Sequence, residues 1–358
     1  MSDPRSSKFD LPPRRETVLA RMPRNVKMVG TVILLALAIL PPAWMHGRKL
    51  HAGTGFHEKA FPDALNTSGA GDGQGEIVKT DITAPALNDQ NDRSVKLLPA
   101  PDMRLTADDA LGSLPRIADD GTQPWRAYAR PFDTADRRPR LAIVITGLGL
   151  SRAMTDEIID QTPPTVTLSF SAQSPVVGAW IARARQQGHE ALLQIPMEPF
   201  DYPRSDPGAG TLLTSLPNSD NLERLQNFMR RASGYVGITT LSGSRFTTDP
   251  DKMQSVLQEM HDRGLMILDA RVAPHSDVTD LAREDGVPVA TATQRIDTDL
   301  SPAAIAAALS DLEKTAILRG RAVGVAAATP VLLDQLQIWA KTLPQHGVAL
   351  APVSAMVR

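Results

Sequence analysis

A chain of 358 residues is long enough for two average domains or one large one. Hydrophobic residues at 42% and charged residues at 22% exclude wholesale disorder and a multi-span membrane protein. A formal charge of −2 argues against nucleic acid as a partner, and the lack of cysteine removes thiol nucleophiles, disulfides, iron–sulfur clusters and cysteine-ligated zinc.

Residues 1–27 carry seven basic side chains against three acids and read as a basic cytoplasmic tail. Residues 28–45 contain no charge, and 18 helical residues span roughly 27 Å, enough to cross a hydrocarbon core of about 30 Å. A cleaved signal peptide is the competing reading, because the uninterrupted apolar core, residues 28–40, is short. Pro41, Pro42 and Trp44 stand where a small-residue cleavage site belongs, which favours an uncleaved transmembrane anchor. The charge bias then places the tail inside and everything after residue 45 outside the cytoplasm: a single-pass inner-membrane protein with a large periplasmic domain.

Residues 46–139 hold nine Gly and eight Pro and show no sustained periodicity, so they read as a flexible, disordered linker. Its short apolar islands, 95–98, 111–114 and 125–128, are candidates for docking on the domain that follows.

At Arg140 the pattern changes. Short apolar runs at 141–145 (β-branched), 165–170, 191–195, 235–239, 265–268, 287–290, 322–325 and 348–350 read as buried strands. Helical patterns at 175–187, 218–232, 250–263, 302–319 and 330–342 lie between them, several opening with proline. Glycines at 188, 264, 286, 320 and 347 punctuate the helix-to-strand turns. Repeated βα units mean an α/β domain over residues 140–358, a distorted or partly open (β/α) barrel of seven to eight parallel strands. No GxGxxG follows the first strand, so dinucleotide binding gains no support.

In such a barrel the site forms from loops after the strands. Candidate substrate-binding residues are therefore Gln194, Glu198, Asp201, Tyr202, Arg245 and Asp269, with Asp269 as the candidate catalytic acid. For Glu198 and Asp201, bracing a proline-rich loop is an equal alternative; for Asp269, an ion pair with Arg245 or Arg271. Phe200, Tyr202 and Phe246 could stack on sugar rings. Of the four histidines in the domain only His275 lies where the site face is expected, so no metal site is assigned.

The segments GHEALLQIPMEPFDYP, YVGITTLSGSRFT, RGLMILDAR and RGRAVGVAAATP, in this order and spacing, resemble the divergent polysaccharide deacetylase family. The resemblance implies an envelope protein of carbohydrate metabolism and, in active members, metal-dependent removal of acyl groups. The family pattern has an acidic pair after the first strand, where Thr146 and Gly147 stand; histidine where Gln194 stands; Asn-His-Met-Gly-Ser where Thr240 to Ser244 run; and Gly-His-Pro where Ala328-Thr329-Pro330 stands. Of that pattern Asp269 remains. The expectation is a catalytically silent domain, without cofactor, that binds an envelope polysaccharide, a peptidoglycan fragment or an envelope protein. The alternative is an active deacetylase or hydrolase with a divalent metal on a rearranged carboxylate site.

Overall fold

The computed structural model describes Arg93 and residues 95–357. The assignments for residues 1–27, 28–45 and the first half of the linker fall outside the described residues. Among those described, no helix is long and apolar enough to cross a membrane.

The domain is built on β3 (Arg140–Leu148), β4 (Thr167–Ser171), β5 (Ala191–Met197), β6 (Gly237–Ser242), β7 (Met266–Asp269), β8 (Val289–Thr291), β9 (Gln294–Arg295) and β10 (Arg321–Ala327). They pair in the order β8-β7-β6-β5-β4-β3-β10-β9, parallel throughout, and β11 (Ala349–Leu350) adds to the start of β3. The two ends of this path, β8 and β9, are consecutive in the chain. Ala292 donates to the Asp269 carbonyl on one side and Thr293 to the Val323 carbonyl on the other, which bends the path round into a distorted barrel. Seven of the eight expected runs correspond to β3–β8 and β10; the eighth, 348–350, is β11, off this path, and β9 is a two-residue strand that the sequence pattern does not mark.

Alternation along β3 explains why both faces are apolar. Leu141, Ile143 and Ile145 pack in the outer core with helix residues such as Ile158 and Leu312. Ala142 and Val144 belong to a second cluster with Leu192, Leu268, Val323 and Val325, and small side chains are what a narrow barrel interior admits. Gly237 serves the same closeness: a Cβ there would lie 1.9 Å from the Met266 carbonyl oxygen.

The outer layer comprises α2 (Arg152–Gln161), α3 (Val177–Gln186), α4 (Asn218–Met229), α5 (Pro250–Asp262), α6 (Val278–Glu284), α7 (Pro302–Arg319) and α8 (Pro330–Ala340). Ser151, Asp249, Ser301 and Thr329 cap α2, α5, α7 and α8 by accepting an orphan first-turn N–H, and α5, α7 and α8 open with proline. Helices α2 and α6 lie outside the helical patterns read from the sequence; α6 is short and buries Val278 and Ala282 alone.

The linker expectation does not hold for residues 95–139. They contain a hairpin, β1 (Thr106–Asp109) with β2 (Gly112–Pro115), and a one-turn helix, α1 (Pro124–Ala127). Leu105, Ala118 and Tyr128 are buried in the inner cluster. Arg185 of α3, itself buried, donates to the carbonyls of Leu98, Tyr128 and Gly234 and lies over the Tyr128 ring. Burial brings its pKa down to about 10, against the pull of Tyr128 and Glu190. Arg93 donates to the carbonyls of Asp160 and Thr162 at the end of α2. Single docking residues without a period leave no trace in a sequence pattern, yet suffice where a finished barrel supplies the partner surface. Of the predicted islands, 125–128 and Leu114 do dock.

Candidate functional site

The loops after β3, β5 and β6 meet at the C-terminal ends of the strands, and Gln194 ties them. Its side-chain oxygen accepts from the Gly147 N–H at 2.9 Å and its amide donates to the Thr240 carbonyl at 3.3 Å. Thr146 donates to the Ala326 carbonyl at 3.2 Å. Thr329 is spent on its own helix, accepting from the Leu332 N–H. Gln194, only 3% exposed, and Thr146 are thus bonded to the barrel's own backbone, while the buried Thr240 hydroxyl beside them has no hydrogen-bond partner.

Glu198 is a second tie. One carboxylate oxygen accepts from the Thr214 N–H at 2.6 Å and its hydroxyl at 2.7 Å; the other pairs with Arg245 at 3.3 Å. Its backbone carbonyl accepts from both Arg245 and Phe246, and its N–H donates to Leu212. Phe200 donates its N–H to the Ser244 hydroxyl at 3.0 Å. β6 ends at Ser242, whose φ of 59° is unusual for a residue with a side chain and costs about 1–2 kcal/mol. This turn sends the Arg245 loop back beside the Phe200 loop.

What Glu198 braces is therefore a surface. Phe200 is 55% exposed, Asp201 is exposed and accepts from the Ser205 hydroxyl, Tyr202 is half-buried, and the Arg245 guanidinium is half exposed. Phe246, by contrast, is fully buried, so it offers no stacking face.

Asp269 stands apart from this group. Its carboxylate accepts from the Arg271 N–H at 2.9 Å, the Ser276 hydroxyl at 3.1 Å and the Thr279 hydroxyl at 2.7 Å. The expected ion pair with Arg245 or the Arg271 guanidinium is replaced by these three donors. Asp269 lines a cavity of about 360 Å³ with Arg271, Thr279, Thr291 and Arg319. Sequence reasoning placed Gln194, Glu198 and Arg245 together, and they are neighbours through β5 and β6. It missed Thr214, Ser244, Ser276 and Thr279, whose only signal is a hydroxyl residue in a loop. His275 is exposed; His189 is buried against two carbonyls, at the opposite end of β5.

A catalytic divalent metal needs about three protein ligands and an open position. Among the described residues no three His, Asp or Glu side chains come together to hold one. Gln194 has its oxygen on Gly147, Asp269 accepts from three donors with no second carboxylate or imidazole beside it, and Thr146 donates to a carbonyl. The residues present do not fit the metal that the fold family implies.

Parallel βα units closed into a distorted barrel, with its loops gathered at one mouth, define a (β/α)-barrel domain. The family model described as "Divergent polysaccharide deacetylase" matches residues 143–357, and the chain belongs to that family. The crystal structure of an uncharacterized protein from Agrobacterium tumefaciens superposes with a TM-score of 0.67 at 36% identity, covering 69% of this chain and 100% of that one. The uncharacterized protein YibQ of Escherichia coli is 24% identical over 61% of this chain and 67% of its own length. An uncharacterized protein of Haemophilus influenzae is 27% identical over 41% of this chain, and the match spans about half, 52%, of that relative.

Proposed function

We propose that this chain is an envelope protein, anchored in the inner membrane by residues 28–45, whose periplasmic barrel binds a polysaccharide or peptidoglycan fragment without hydrolysing it. The observation that carries the reading is Gln194: where the family pattern supplies an imidazole, an amide that cannot take a proton is held between Gly147 and Thr240. Family membership supports carbohydrate as the ligand class. The braced Phe200, Asp201, Tyr202 and Arg245 surface supports the mode of binding, because ring faces give apolar contact to sugars while the charged groups bond ring-edge hydroxyls.

Asp201→Ala with Tyr202→Ala in the full chain tests it. Neither side chain is buried, so the thermal midpoint should stay nearly unchanged. Retention on peptidoglycan sacculi or chitooligosaccharide resin should fall about tenfold, the loss of about 1.4 kcal/mol. Unaltered retention, or an unfolded variant, would contradict the reading and leave the loop a structural brace.

A further inference from the structure

The outer helix layer is incomplete at one place. Every step between neighbouring strands from β3 to β8 passes through a helix, and so do β9 to β10 and β10 to β11; β8 to β9 passes through Ala292 and Thr293 alone. The seam between β8 and the start of β10 is thus left uncovered between α6 and α7. A cavity of about 360 Å³ opens there and reaches the inner-face residues Val323 and Met356.

Four arginines converge on this cavity: Arg271 after β7, Arg283 in the last turn of α6, Arg319 in the last turn of α7, and Arg321 at the start of β10. Two acids share the lining. Asp280 pairs with Arg283 at 3.2 Å, and Asp269 is already held by one N–H and two hydroxyls. Asp269 keeps its charge, since all three donors are neutral, yet neither acid forms an ion pair with Arg271 or Arg319, and four guanidiniums against two carboxylates leave the lining positive. Arg271 also stands at φ 49°, a backbone state that few side chains adopt, fixed by its N–H bond to Asp269. Arginines at helix C-termini ordinarily offset the helix dipole, which accounts for Arg283 and Arg319 singly. It accounts neither for Arg271 nor for the convergence on one cavity.

We infer that the barrel seam is a binding site for the oxyanion of a small organic ligand, a phosphomonoester or a carboxylate, held by Arg271 and Arg319. A planar guanidinium matches either group through paired N–H bonds. The site shares no residue with the braced Phe200–Arg245 surface and is independent of the proposal made there.

The test uses the purified full chain in calorimetric titrations with inorganic phosphate, glucose 6-phosphate, glucuronate and glucose. Glucose 6-phosphate or glucuronate should bind, more weakly as salt is raised, while glucose should not; which of the two binds tighter identifies the oxyanion. Arg271→Gln with Arg319→Gln should weaken binding at least tenfold, and Arg126→Gln, outside the cavity, should leave it unchanged. Independently of any variant, the preferred anion should protect Arg271 and Arg319 from phenylglyoxal in the wild-type chain, read by peptide mass spectrometry. Failure of all three anions to bind, equal binding of glucose, or undiminished labelling of both arginines would overturn the inference.

Discussion

His189 lies with both ring nitrogens 3.0 Å from backbone carbonyls, those of Val166 and Ile159, and a neutral imidazole can donate to only one of them. Burial lowers its pKa to about 4, against the pull of the two carbonyls. Between about 4 and the ordinary value near 6.5 the unfolded chain binds a proton that the native chain does not. Stability from this residue is therefore complete above that window and lost as pH falls through it, on the order of 3 kcal/mol in full. Its neighbour Glu190 acts in the opposite sense. Burial raises its pKa despite hydrogen bonds from Ser354, Arg130 and Thr167, so the native state holds the extra proton and stability falls as pH rises through the raised value. Urea midpoints between pH 4 and 6.5 should separate the two. His189→Gln should flatten the acid loss and Glu190→Gln should steepen it; a His189 variant with the wild-type slope would contradict the assignment. At this scale the sequence is partly legible. Glu198 is recognisable as a possible loop brace from its proline-rich setting, whereas the partners of Asp269 lie seven and ten residues further along an irregular loop that no periodicity orders.

The segment before the barrel decides what the folding unit is. Leu105, Ala118 and Tyr128 fill the inner cluster beside Val353 and Met356, and Arg185 takes two of its three carbonyl partners from this segment. Burial of one large apolar side chain contributes about 1.5–3 kcal/mol, and a buried donor left unsatisfied costs about 1–3 kcal/mol. Against a total stability of about 5–15 kcal/mol, losing all of these is decisive. Deleting residues 1–92 should therefore leave the thermal midpoint of the barrel intact, while deleting 1–139 should lower it sharply or abolish cooperative melting. Equal midpoints for the two truncations, by circular dichroism, would return residues 95–139 to the status of a tether. The strands were legible because apolar runs of three to six residues, several preceded by a glycine, are too short for helices and read as buried strands. The docking of 95–139 was not, since its buried side chains are single and widely spaced. The β8–β9 crossing was hidden for a different reason: one short extended segment pairs with β7 first and β10 second, and pairing partners are not written in local composition.

For the molecule as a whole, the basic tail and the uncharged residues 28–45 predict an orientation. Protease added to intact spheroplasts should remove the large domain and leave a short membrane stub; protection of the domain would contradict a periplasmic barrel. The barrel class was legible from the repeating helix–glycine–strand order, and that order also named which loops gather at the mouth. That the mouth closes on itself through Gln194 and Glu198 emerged only from the three-dimensional contacts.

The proposed catalytic silence is tested by acyl hydrolysis. Metal-dependent deacetylation needs a Lewis acid on the acyl carbonyl and a base for the attacking water, and loss of a base alone typically costs about 10²–10⁴ in rate. The most direct measurement is acetate release by the full chain from acetylated chitooligosaccharides, peptidoglycan fragments and acetylated xylan, with Zn, Co, Mn or Ni added in turn. The account predicts no acetate above the blank with any of them. Acetate release that vanishes with a chelator, returns with one metal and is lost in Asp269→Asn would contradict it, and would establish the rearranged carboxylate site instead.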